Sequence, residues 1–150
     1  NESYYVCEHL ENVFEFRAIV QDEAFENRDF IIRKFTQFTF EMHEKGIEFL
    51  DHSPGNTLIK DNNNGTYSFY LVDLNRMKFH ETIDFQTRMK NLSKITHKKD
   101  MIEVMSNEYA QLLGENEALV FETMWKLTSD FQFRFHRKKR IKKKLKFWKK

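Results

Sequence analysis

Asp51 and Asn56 stand five residues apart in the run Asp51-His52-Ser53-Pro54-Gly55-Asn56, and a second carboxylate, Asp73, follows 22 positions after the first. Oxygen-bearing side chains at this spacing suit one kind of chemistry. A carboxylate at the start of a loop can accept the proton of an attacking hydroxyl, while an Asn amide oxygen and a second carboxylate are hard ligands for Mg²⁺ carrying nucleotide phosphates. Phosphoryl transfer asks little more of the local chain, because its catalysis is mostly positioning and charge neutralisation. Asp, Pro, Gly and Asn are also ordinary turn formers, so the run alone reads first as a turn. What argues for chemistry is the company it keeps.

The elements around these residues are legible from pattern. Ile31, Phe35, Phe38 and Met42 recur at steps of four, three and four, which predicts a helix from about Asn27 to Lys45 with one apolar stripe facing a core. Gly46 ends it as a glycine just past a helix does. Residues Glu48 to Asn56, interrupted by Pro54-Gly55, read as a shaped loop. Thr57 to Lys60 reads as a short strand, Asp61 to Thr66 as a turn, and Tyr67 to Val72 as a second strand that ends at Asp73. The hairpin thus delivers Asp73 back toward the loop. Beyond it the pattern is helical: Thr82 to Ile95, Lys99 to Leu113 stopped by Gly114, and a long segment from Asn116 in which Leu119, Met124, Leu127, Phe131, Phe135, Ile141, Leu145 and Trp148 fit one apolar side. Near the start, Ser3 to Cys7 is a short aromatic and β-branched run, a candidate strand before the turn Glu8-His9.

Composition narrows the class. With 150 residues, 16 Phe, 4 Gly and 1 Pro, the chain fits one helix-rich globular domain and excludes disordered and collagen-like proteins. The single Cys7 excludes an internal disulfide framework and a thiolate-built zinc site, and six scattered His form no metal-spaced pair. His43 and His52 are expected to be structural. The net charge of +2 conceals an asymmetry: 11 of the 25 Lys and Arg fall between Arg134 and Lys150 with no acid among them, which leaves a body of −9. A cationic end on an acidic body can seek phosphates or fold back on its own surface.

The spacing of Asp51 and Asn56, the hairpin, and Asp73 at its end resemble the catalytic loop and metal ligand of the protein-kinase superfamily. The stretch from His43 to Ile59, HEKGIEFLDHSPGNTLI, and that from Phe69 to Phe79, FYLVDLNRMKF, resemble more specifically the bacterial lipopolysaccharide kinase family, which phosphorylates Kdo or heptose of the inner core. The Asp-x-x-Pro-Gly-Asn loop is also similar to that of aminoglycoside phosphotransferases, more than to the Lys-containing loop of protein kinases. The resemblance implies an α+β, mostly α, C-terminal lobe of a protein-kinase-like fold over residues 1–133, using ATP and Mg²⁺. In it Asp51 would be the catalytic base toward a sugar hydroxyl, and Asn56 with Asp73 would bind the metal. Residues 1–10 would be the hinge strand, with Glu8 and Leu10 meeting the adenine.

Departures from the family pattern shape the expectation. Phe49-Leu50 replaces the His-Arg before the base and Leu74-Asn75 replaces the Phe-Gly after the metal ligand, which implies activity that is not gated by phosphorylation. No Gly-rich phosphate loop and no Val-Ala-Ile-Lys strand occurs, so the N-terminal lobe is absent from this sequence, and a fragment of a longer enzyme or a truncated relative is expected. Residues 134–150 form a basic amphipathic tail, in which Lys142, Lys143, Lys144 and Trp148 are the candidate contacts to phosphates of an anionic leaflet. The partners implied are a lipopolysaccharide core sugar or lipid A precursor and anionic inner-leaflet lipids, at the cytoplasmic face of the inner membrane. Rival readings are a non-catalytic kinase-like module that binds a partner or membrane, a kinase of another small molecule or protein, and a basic-tailed nucleic-acid binder. The last is disfavoured because no recognition motif accompanies the charge.

Overall fold

A computed structural model describes residues 9–147, with side chains as far as Lys142. The candidate strand Ser3–Cys7, the adenine contact Glu8, the side chains of Lys143 and Lys144, and Trp148 lie outside the described residues. The fold is α+β, with five α-helices and two small antiparallel sheets among the described residues.

Two helices form the centre of the domain. α2 (Arg28–Glu44) buries Ile31, Ile32, Phe35, Thr39 and Met42, and α4 (Lys99–Leu113) buries Met101, Ile102, Met105 and Tyr109 against it. Both end on left-handed glycines, Gly46 and Gly114, each at φ +72°. Phe38, expected on the buried stripe, lies at its edge and stacks on Phe69 of the hairpin, ring centroids 5.6 Å apart. The short α3 (Phe85–Leu92) adds Met89 and Leu92 to the core. It is shorter than the expected Thr82–Ile95 because the Asp84 side chain accepts from the Thr87 N–H at 2.9 Å, capping the first turn, and Ser93 Oγ takes the Lys90 carbonyl at 2.7 Å at the other end.

The hairpin forms with β3 (Thr57–Asp61) and β4 (Tyr67–Leu71) in the register Thr57↔Leu71 to Asp61↔Tyr67. Two further strands depart from expectation. β1 (Val13–Glu15) joins the outer edge of β3, Val13 opposite Lys60 and Glu15 opposite Leu58, and leads straight into α1 (Phe16–Gln21), whose Phe16 and Ile19 are fully buried. Residues Glu48 and Phe49, read from sequence as the start of a loop, belong instead to β2 (Ile47–Phe49), which pairs with β5 (Met77–Phe79). Three-residue strands leave too little pattern to see in sequence, and this pair exists because Gly46 turns the chain off α2 so that its carbonyl receives the His80 N–H at 2.8 Å. His9 and Leu10 carry no strand.

The last helix, α5 (Glu117–Phe147), runs unbroken through Arg134, where the basic segment begins. Its apolar side is narrower than expected: Val120, Met124 and Thr128 are buried against α3 and α4, whereas Leu119, Phe135 and Ile141 are exposed. From Phe133 to Lys142 every residue of the helix is exposed.

Candidate functional site

The site is built where β2 ends, β3 begins and β4 ends. Asp51 follows β2, Asn56 precedes β3, and Asp73 lies two residues beyond β4. The Asn56 side-chain amide donates to the Asp51 carbonyl at 3.0 Å, closing the loop across its own width. The Val72 N–H donates to the Asn56 carbonyl at 3.1 Å, extending the hairpin ladder by one rung and setting Asp73 beside Asn56. Asp73 is in the left-handed region at φ +60°, which turns the chain out of the strand, and Asn75 Nδ2 donates to its Oδ1 at 2.8 Å. An Asp tolerates this conformation better than most residues. The three sequence-selected residues therefore share one end of the hairpin.

A buried polar chain holds the approach to Asp51. Asn91 on α3 donates to the Phe49 carbonyl at 2.7 Å, so its own Oδ1 is free to accept, and His43 Nε2 lies 3.1 Å from it. The ring must then donate from Nε2 and accept at Nδ1, where the Tyr109 hydroxyl is 2.8 Å away. Neutral His43 is what these bonds require, and burial does push its pKa down to about 4, against the opposing pull of the Asn91 bond. Burial also holds the Tyr109 hydroxyl up at about 12, so it stays a donor. Lys94 Nζ adds a bond to the Leu50 carbonyl at 2.6 Å. Three helices thus fix the two residues before Asp51.

Inside the loop, His52 is fully buried, stacked on Phe35 with centroids 5.3 Å apart and 3.1 Å from Thr39 Oγ1. Burial lowers its pKa to about 3, with the neighbouring His43 and Lys94 adding to the effect. It anchors the loop to α2. Gly55 carries another constraint: a Cβ there would collide with Nη2 of Arg17, and the Arg17 N–H donates to the Pro54 carbonyl at 2.9 Å.

Two arginines at the site were not singled out from sequence. Arg76 Nη1 sits 2.9 Å from Asp51 Oδ1, with the two side chains 62% and 28% exposed, so the pair is wet and weak in energy, though it orients the carboxylate. Arg17 is the second. Arg76 lies within the stretch that carries the family resemblance, but 25 positions from its partner, and for Arg17 no local signal exists.

The donor types are ones that Mg²⁺ accepts. Asn56 commits its amide nitrogen within the loop, which leaves the oxygen for a ligand, and one Asp73 oxygen takes no bond among the described residues. Two hard oxygen ligands with the remaining positions left to water and phosphate are what Mg²⁺ accepts. No group of three or more His, Cys, Asp or Glu disposed to hold a metal occurs among the described residues. Of the other sequence-selected residues, Leu10 and Lys142 are among those described with side chains. No hydrogen bond among the described residues ties Leu10 to Asp51, Asn56 or Asp73, and β1 approaches the loop from the turn end of the hairpin. Lys142 is exposed on α5, which packs on α3 and α4. No family model matches the chain, and no curated protein or solved structure is significantly similar to it.

Proposed function

We propose that this chain carries the catalytic loop of a kinase-like phosphotransferase, the C-terminal lobe of that fold, which moves the γ-phosphoryl of Mg²⁺-ATP onto a hydroxyl of a lipopolysaccharide inner-core sugar, Kdo or heptose. The observation that carries the reading is the closure of Asp51, Asn56 and Asp73 around one end of the hairpin through the Asn56 amide and the Val72–Asn56 rung. In the reaction the acceptor oxygen attacks the γ-phosphorus, the bond from that phosphorus to the β,γ-bridging oxygen breaks, ADP leaves, and the acceptor's proton passes to the Asp51 carboxylate. Arg76 occupies one Asp51 oxygen and leaves the other to take that proton. Asn56 and Asp73 would hold the cation, which supplies charge neutralisation at the β- and γ-phosphates. The sugar specificity rests on the family resemblance of residues 43–59 and 69–79, and the loop geometry supports the phosphotransferase reading without it.

The basic end of α5 supports a place at the cytoplasmic face of the inner membrane. Arg134, Arg137, Lys138, Lys139, Arg140 and Lys142 are exposed, as are Phe133, Phe135 and Ile141. None of the described helices is long and apolar enough to cross a membrane, so contact there would be peripheral.

Calorimetric titration of the chain with ATP, with and without Mg²⁺, tests the reading. Binding is expected to require the cation and to fall at least tenfold in Asp73→Ala, while Asp51→Asn retains binding and loses transfer to a core-sugar acceptor. Nucleotide binding that ignores both Mg²⁺ and Asp73 would leave a non-catalytic module as the better description.

A further inference from the structure

Transferring a phosphoryl group needs positive charge at the terminal phosphate, and the loop from Asp51 to Asn56 contains no Lys or Arg. The cations near it are mostly committed. Arg76 is taken by Asp51 at 2.9 Å, and Lys94 spends its ammonium on the Leu50 carbonyl at 2.6 Å. Arg17 differs. Its backbone N–H is fixed to Pro54, its guanidinium lies over Gly55 in the space a side chain would fill, and its acid partner Glu15 meets only Nε, at 3.4 Å with both side chains about half exposed. Such a pair is weak. The guanidinium is thereby held one residue from Asn56, and the donors of its fork take no hydrogen bond among the described residues. Gly55 is not in the left-handed region, and a Cβ there would meet the far end of the flexible, half-exposed Arg17 side chain, which would have to swing aside.

From this geometry we infer that Arg17 binds the terminal phosphate of the nucleotide, supplying from α1 the cation that the loop lacks. This rests on the phosphotransferase reading and adds a residue to it. A planar, permanently charged fork is suited to a phosphate's oxygens, and charge-assisted bonds of this kind are the strong ones.

The test compares Mg²⁺-ATP with Mg²⁺-ADP by calorimetry on the whole chain. Arg17→Ala is expected to weaken ATP about tenfold or more and ADP less than threefold, because only ATP carries the phosphate in question. Arg17→Lys should recover part of the ATP preference. Gly55→Ala, which drives the guanidinium aside while keeping Arg17, should produce the same selective loss. Wild-type binding with ATP and ADP weakened equally, or neither weakened, in Arg17→Ala overturns this assignment alone. A wild-type chain that binds neither nucleotide with Mg²⁺ present overturns a self-sufficient nucleotide site in this chain, and the assignment of Arg17 with it.

Discussion

At the scale of the residue, burial decides what each titratable group near the site can do. His43 and His52 are both neutral in the fold because desolvation penalises the imidazolium, with pKa values of about 4 and about 3 against 6.5 for an ordinary His. Below pH 6.5 the unfolded chain therefore binds protons that the folded chain refuses, and stability falls as pH drops. The contribution is complete above about pH 6.5 and is lost progressively down to about pH 4 for His43 and about pH 3 for His52. At pH 5 each histidine costs about 2 kcal/mol relative to pH 7.5, on the linkage relation. Urea titrations at the two pH values are expected to show this loss, and His52→Gln to reduce it by about half. Equal stability at pH 5 and 7.5 would mean that neither ring is sealed from water. The hydrogen-bond chain from Tyr109 through His43 and Asn91 to Phe49 explains why the loss should reach the site: protonated His43 no longer accepts from Tyr109. Sequence singled out His43 and His52 as structural but not what they hold, since Asn91 and Tyr109 lie 48 and 66 positions from His43.

At the scale of the element, the patterns that could be read were the ones long enough to repeat. α2 and α4 declared themselves by apolar spacing and terminal glycines, and the hairpin by its Asp-Asn-Asn-Asn-Gly-Thr turn. β1, β2 and β5, at three residues each, exist only through their partners, and no periodicity survives at that length. Asp51, Asn56 and Asp73 were legible because their spacing is local to the loop and hairpin, whereas Arg17 and Arg76 reach the loop by long-range folding. Gly46 joins the two levels. It matches Gly114 in backbone angle, but a Cβ at 114 meets nothing within 4 Å, whereas one at 46 runs into the His80 carbonyl. Gly114→Ala should therefore cost only the left-handed penalty, about 1 kcal/mol. Gly46→Ala adds a clash with backbone that pairs β2 to β5, and is expected to cost about 3 kcal/mol. Chemical denaturation of the two variants side by side checks the difference; equal losses would show that the β2–β5 pair yields without cost.

At the scale of the whole molecule, charge is divided along α5. The first 133 residues carry a net −9, while the segment from Arg134 carries 11 cations and no acid. The six Lys and Arg from Arg134 to Lys142 are exposed and enter none of the ion pairs among the described residues. The tail does not neutralise the acidic body through those side chains, and an external anionic surface is the complement we propose for them. A bilayer offers this charge together with an apolar layer for Phe133, Phe135 and Ile141; an oligonucleotide offers the charge alone. Sedimentation with vesicles separates these. The chain is expected to bind vesicles containing anionic lipid and not neutral ones, with binding lost as salt rises and the Debye length shrinks. Each basic residue near such a surface contributes about 1 kcal/mol, so replacing Lys142, Lys143 and Lys144 together by Gln should weaken binding roughly a hundredfold. Trp148→Ala should weaken it with the salt dependence unchanged, because that residue acts through the apolar layer. Oligonucleotide binding without vesicle binding would instead assign the tail to nucleic acid and remove the reason to place the protein at a membrane.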